Sequence, residues 1–114
     1  MKWWAGLLLA IVVTGCATHN GAWEPQLRQA RSISDPKQRA DAMVTVAEAA
    51  GSVGDLETVT RALGDLANDP RHDDVAERCA IQLGNAGCWS AAKTTAMSIK
   101  DEGRRKAALA KVGG

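Results

Sequence analysis

A chain of 114 residues has room for one domain with a modest core. Apolar residues make up 46% and charged residues 24%, a globular composition; the absence of Phe and Tyr removes the bulky fillers of a β-sandwich and points to helices packed through Ala, Leu and Val. A formal net charge of +1 with interspersed signs supplies no basic footprint for nucleic acid and no polybasic patch for anionic lipid.

The first residues read as an export signal. Lys2 precedes an apolar run from Trp3 to Val13 that is too short to span a bilayer comfortably, and the run ends in Val13-Thr14-Gly15-Cys16. Those four residues resemble the bacterial lipobox, in which an aliphatic residue and two small ones precede the Cys that is acylated. The resemblance implies a signal peptide over 1–15, cleavage before Cys16 and a diacylglyceryl group on its sulfur, so that lipid holds the mature chain to a membrane. With Ala17 rather than Asp after the Cys, it further implies the outer membrane of a Gram-negative cell, facing the periplasm. Residues 16–21, with His19 among them, then form a lipidated tether to a domain over 22–114. Removal of Lys2 with the signal makes that mature chain formally neutral.

Beyond the tether the sequence repeats with a period of 33 residues. Gly21-Ala22-Trp23, Gly54-Asp55-Leu56 and Gly87-Cys88-Trp89 correspond, as do Ile33, Leu66 and Ile99, then Arg39, His72 and Arg105, then Val46, Cys79 and Val112. Apolar spacing predicts six helices, near 22–33, 37–50, 55–67, 72–83, 88–99 and 102–112. Pro36 and Pro70 fall in connections, where each stops one helix and can pre-set the first turn of the next. Asp55 stands as N-cap of the third helix, which turns Leu56, Val59, Leu63 and Leu66 inward. The fourth does the same with Val75, Ala76, Cys79, Ala80 and Leu83. Gly51 and Gly84 are expected to close the second and fourth helices with positive φ. No strand pattern is present, and because a lone hairpin of this length cannot bury its own apolar face, three stacked copies are close to the minimum for stability.

The stretch Ala42 to Ala50 followed by Gly54-Asp55-Leu56-Glu57 resembles the tetratricopeptide pattern, and Trp89 with Ala92 repeats the aromatic and small positions of its second helix. The period is 33 against the family's 34 or so, and Ala47 and Ala80 stand where the family favours Gly. The resemblance implies an all-α, tetratricopeptide-like array of short α-hairpins. It also implies a concave groove on the first helix of each pair, which carries Asp41, Val44 and Glu48 in one copy and Asp74, Glu77 and Ile81 in the next as candidate partner-binding residues.

No residues are nominated as catalytic, cofactor-binding or metal-binding. His72 shares its column with Arg39 and Arg105 and reads as a solvated helix start. Asp73 and Asp74 beside it point in different directions on a helix, so the three form an N-terminal charge cluster rather than a metal site. An enzyme would need a cleft gathering His72 or a Cys with an acidic partner. Cys79 reads as a small buried hydrophobe and Cys88 as a surface helix start; a hairpin turning near residue 86 places them beyond the bridging distance of about 7 Å, so two free thiols are expected. Trp23 and Trp89, equivalent in the repeat, are expected to be core wedges. The expected function is a non-enzymatic interaction or assembly module of the cell envelope, its partner an envelope protein or peptide, with no cofactor, nucleic acid or small-molecule substrate evident. The alternative is a small structural or surface-exclusion lipoprotein that works mainly through its anchor.

Overall fold

The computed structural model describes residues 23–113. The proposed signal peptide, the lipobox with Cys16, His19 and the rest of the tether therefore lie outside the described residues, as does Gly114. The fold is all-α: α1 is Glu24–Arg31, α2 Pro36–Ser52, α3 Leu56–Asp65, α4 His72–Asn85, α5 Trp89–Met97 and α6 Glu102–Lys111. No strand occurs among the described residues.

Three of the six helices start on an aspartate. The carboxylates of Asp35, Asp55 and Asp101 accept the backbone N–H of Gln38, Thr58 and Arg104 at 2.8, 3.2 and 2.8 Å, which satisfies donors left open at a helix start. Pro36 follows Asp35 at the first helical position, where a missing N–H costs nothing. α4 begins without a side-chain cap. Before it, Asp69 accepts from the Arg71 backbone N–H at 2.8 Å and from Nε of Arg71 at 3.0 Å, and those bonds hold its carboxyl below the usual carboxylate range.

The helix ends differ from expectation. Gly51 and Gly84 lie inside α2 and α4, and positive φ occurs three residues later, at Gly54 (82°) and Gly87 (88°). Each helix runs on to a turn in which the N–H of Asp55 reaches the Ala50 carbonyl, and that of Cys88 the Leu83 carbonyl, both at 2.9 Å. Gly51 and Gly84 serve packing instead: a Cβ on Gly51 would stand 2.7 Å from Gln82 Oε1, and one on Gly84 2.8 Å from the Trp89 ring.

The helices form two layers. α2, α4 and α6 lie side by side in one, α1, α3 and α5 in the other, and the closest partners are α2 with α3 and α4 with α5. Between the layers the core holds Leu27, Met43, Val59, Leu66, Val75, Cys79, Leu83, Ile99 and Val112, all shielded from solvent. Fully buried Ala47, Ala50, Ala62, Ala76, Ala80, Ala92, Ala96 and Ala108 let the backbones approach closely. Each large side chain so buried contributes about 1.5–3 kcal/mol relative to exposure. Trp23 is half-buried against this core, but Trp89 is 51% exposed. It therefore is not a core wedge: its ring lies over Gly84 on the outside, because opening α5 at residue 89 leaves it at the rim rather than between the layers.

Candidate functional site

The side chains nominated for partner binding sit on α2 and α4, in the layer completed by α6. Asp41 and Asp74 are about half exposed, Glu48 and Glu77 less so, and Val44 and Ile81 are half-buried. The face they form is held by ion pairs between helices. Arg71 reaches Asp41 at 2.7 Å, and one repeat later Arg104 reaches Asp74 at 3.2 Å. Arg78 bridges Glu48 at 2.8 Å and Asp74 at 3.0 Å; Arg104 also pairs with Glu77 at 2.9 Å, and Lys111 closes the series on Glu77, also at 2.9 Å.

The chain of charges Glu48, Arg78, Asp74, Arg104, Glu77 and Lys111 thus runs across α2, α4 and α6. Hydrogen bonds from Lys111 and Arg104 hold the Glu77 carboxyl below its ordinary range, and the same contacts to Glu77 and Asp74 raise Arg104. The charges of this face are neutralised within the chain, and Val44 and Ile81 share it with them. The cationic half of this face escaped the sequence reading. Its signal was the repeat itself, because Arg71 and Arg104 lie 33 apart, as do Arg78 and Lys111.

His72 corrects another expectation. Only 7% exposed, it is no solvated helix start. In its column Arg39 and Arg105 each turn a guanidinium back onto the end of the preceding helix, Nη1 of Arg39 donating to the Ile33 carbonyl at 2.9 Å and Nη1 of Arg105 to that of Ile99 at 3.0 Å. The shorter imidazole of His72 turns inward and bonds Asp73 through Nδ1 at 2.9 Å. Asp73 is more than a dipole partner, for its two oxygens accept the backbone N–H groups of Lys100 and Asp101 at 2.9 and 3.0 Å, tying α4 to the start of α6. Burial pushes its carboxyl up, but the Lys100 N–H, the His72 ring and the Asp101 N–H together outweigh that and bring it down to about 2.

His72 does line a cleft and does have an acidic partner, two of the features an enzyme would need. No hydroxyl or thiol among the described residues hydrogen-bonds the imidazole, although Thr60, Thr94, Thr95 and Ser98 line the same cleft. No group of three His, Cys, Asp or Glu among the described residues is placed to hold a metal ion, and no helix among them is long and apolar enough to cross a membrane.

The cysteines part ways. Cys79 is a free thiol, sealed between the layers with Sγ directed at the Ala47 carbonyl, so no bridge joins it to Cys88, and burial pushes its pKa up to about 12. Cys88 is disulfide-bonded, which corrects the expectation of a second free thiol. Cys88 stands at the N-cap of α5 but is only 8% exposed and packs with the core, so it is not the surface helix start expected of it.

No protein-family model, no curated protein and no solved structure matches this chain. What the fold defines among the described residues is a class: a two-layer, all-α arrangement of six helices in which parts of the helix-capping and ion-pair chemistry recur at multiples of 33 residues.

Proposed function

We propose that this chain is a lipoprotein of the cell envelope, anchored through Cys16, whose tetratricopeptide-like hairpins form a non-enzymatic protein-protein interaction module. The lipobox-like Val13-Thr14-Gly15-Cys16 supports the anchor, and two or more acyl chains suffice for stable attachment. The interaction reading rests on one observation above the others: α2, α4 and α6 present a continuous face on which half-buried Val44 and Ile81 alternate with fixed charges. Apolar anchors framed by polar groups are how interfaces gain both area and register. The partner is an envelope protein or a peptide segment.

Two measurements test this reading. Intact mass of the protein recovered from membranes, with and without inhibition of lipoprotein signal peptidase, is expected to show a cleaved chain carrying diacylglycerol. A sulfur engaged in a thioether cannot also enter a disulfide, so a non-reduced mass without lipid, falling by two protons per bridge, counts against the anchor. Pull-down from membranes is expected to enrich a partner with the wild type and to lose it with Val44→Glu and Ile81→Glu; equal recovery by these variants removes the face from consideration.

The alternative, a structural or surface-exclusion lipoprotein dominated by its anchor, is favoured by the pairing of Asp41, Asp74, Glu48 and Glu77 within the chain, which leaves few charges to offer. Loss of function on Cys16→Ser alone, with the face variants active, selects it.

A further inference from the structure

Helices within each layer run parallel, and the ion pairs between them record it. Glu24 meets Arg61 and Arg31 meets Asp65 between α1 and α3; Asp41 meets Arg71 and Glu48 meets Arg78 between α2 and α4, the order rising together on both helices. The starts of α1, α3 and α5 therefore gather at one end of the stack, where α2 and α4 turn over through Val53-Gly54-Asp55 and Ala86-Gly87-Cys88. α6 finishes at the same end, since a Cβ on Gly113 would stand 3.8 Å from the Trp89 ring.

The two ends differ in polarity. At the end just described the exposed turn residues Ser52, Val53, Asn85 and Ala86 carry no charge, and Val53 and the neighbouring Trp89 are 39% and 51% exposed. Most charges close by are engaged: Asp55 is buried on Thr58, Glu24 is paired with Arg61 and Lys111 with Glu77, while Glu57 in the first turn of α3 is exposed. At the opposite end every turn carries both signs, Asp35 and Lys37, Asp69 and Arg71, then Lys100 and Asp101. The 17 residues of α2 set the two ends roughly 25 Å apart.

The chain also enters at the uncharged end, because Trp23 directly precedes α1. On the lipoprotein reading, on which this inference rests, only residues 16–22 separate the lipid from Trp23, and seven residues reach at most about 25 Å. The bilayer then lies within that distance of the uncharged end. An indole with an apolar body and a polar N–H suits the headgroup level of a bilayer, where both find partners. Because the anchor already holds the domain at a high local concentration of lipid, a weak contact suffices to orient it.

We propose that this uncharged end docks on the bilayer that holds the anchor, with Trp89 and Val53 seated among the lipid headgroups. The helices then stand on the membrane, and the face of α2, α4 and α6 rises from it, open to a partner from the side. The charged end cannot take that place without stripping water from its ionised groups. Met97, 62% exposed, is the apolar side chain that does not belong to the contact: it lies in the last turn of α5, roughly 12 Å along the helix from Trp89, with Lys93 and Lys100 on either side in sequence.

The full chain, purified from membranes, is reconstituted into phosphatidylcholine vesicles with and without phosphatidylcholine brominated on its acyl chains, whose bromines quench indole emission at short range. The emission of Trp89, taken as the difference between the wild type and Trp89→Leu, is expected to fall roughly twofold in the brominated vesicles. Val53→Trp and Met97→Trp, each made in the wild-type chain at an exposed position, add one reporter at either end without entering the core. The emission added by Val53→Trp is expected to be quenched as that of Trp89 is, and that added by Met97→Trp hardly at all. Unquenched Trp89 overturns the proposal, and so does equal quenching of the two added reporters. Intact mass of the same preparation reports on the anchor separately. A chain without diacylglycerol whose Trp89 is quenched removes the anchor and keeps the docking end; a lipidated chain whose Trp89 is unquenched does the reverse.

Discussion

The layer of α2, α4 and α6 and the layer of α1, α3 and α5 grow from the same 33-residue unit, yet they are stitched differently. In the first, a pair recurs from copy to copy: Asp41 with Arg71 becomes Asp74 with Arg104. In the second, Arg31 with Asp65 and Glu24 with Arg61 have no successors, for Gly64, Ser98 and Thr94 stand in the places of Arg31, Asp65 and Arg61. The comparison teaches which interactions a copy can drop. Exposed ion pairs are dispensable one at a time, since each is worth well under a buried apolar side chain. The core between the layers is shared by both.

Truncating that core is therefore expected to have the largest effect. Leu83→Ala removes a fully buried side chain common to both layers and should cost about 2–5 kcal/mol in denaturant unfolding. A loss no larger than that of a surface variant would break the comparison. Next comes Gly84→Ala, where the new methyl collides with the Trp89 ring; about 1–3 kcal/mol of destabilisation is expected, with a red shift in Trp fluorescence as the ring swings outward. Gly64→Ala makes the contrast, because nothing lies within 4 Å of its Cβ position: there the better helix former should stabilise by about 0.5–1 kcal/mol.

Asp73 sharpens the account of how α4 is tied to the α5–α6 turn. Asp73→Asn weakens two backbone contacts and should cost about 1–2 kcal/mol, on the scale of a lost cap. Its pH dependence has a definite sign. The carboxyl ordinarily titrates at 3.8 and in the folded chain at about 2, so between those values the unfolded state binds more protons. The stabilisation from Asp73 is fully present above pH 3.8 and is lost as pH falls through about 2, and the Asn variant should lack that part of the acid transition. The smallest effects belong to the stitches themselves. Arg104→Ala and Arg31→Ala should each cost no more than about 1 kcal/mol, shrinking in high salt, with Arg104 the costlier because it joins two carboxylates rather than one.

How far the sequence alone reaches can be followed residue by residue. The six helices, the Asp55 cap and the inward faces of α3 and α4 follow from local rules of spacing and hydrogen bonding, and the observed elements lie within a few residues of those expected. Gly51 and Gly84 were misread because a glycine near a helix end has two uses, a turn with positive φ or a close approach, and only the neighbours Gln82 and Trp89 decide between them. Trp89 shares a column with Trp23, but the repeat cannot say what lies beyond the last copy. The ring at the rim finds Gly84 and remains half in solvent.

The site shows the same division. Asp41, Glu48, Asp74 and Glu77 were visible as acidic positions on one helical face, since a period of 3.6 residues is a local property. Their pairing with Arg71, Arg78, Arg104 and Lys111 was not, because those partners stand roughly one period away and meet them only when the helices stack. By itself the sequence determined the number, type and faces of the helices, each set by residues within a turn or two of one another. The tertiary structure alone decided that His72 turns inward and that Asp73 ties α4 to the α5–α6 turn, because each depends on the side-chain lengths that two distant segments bring to one interface.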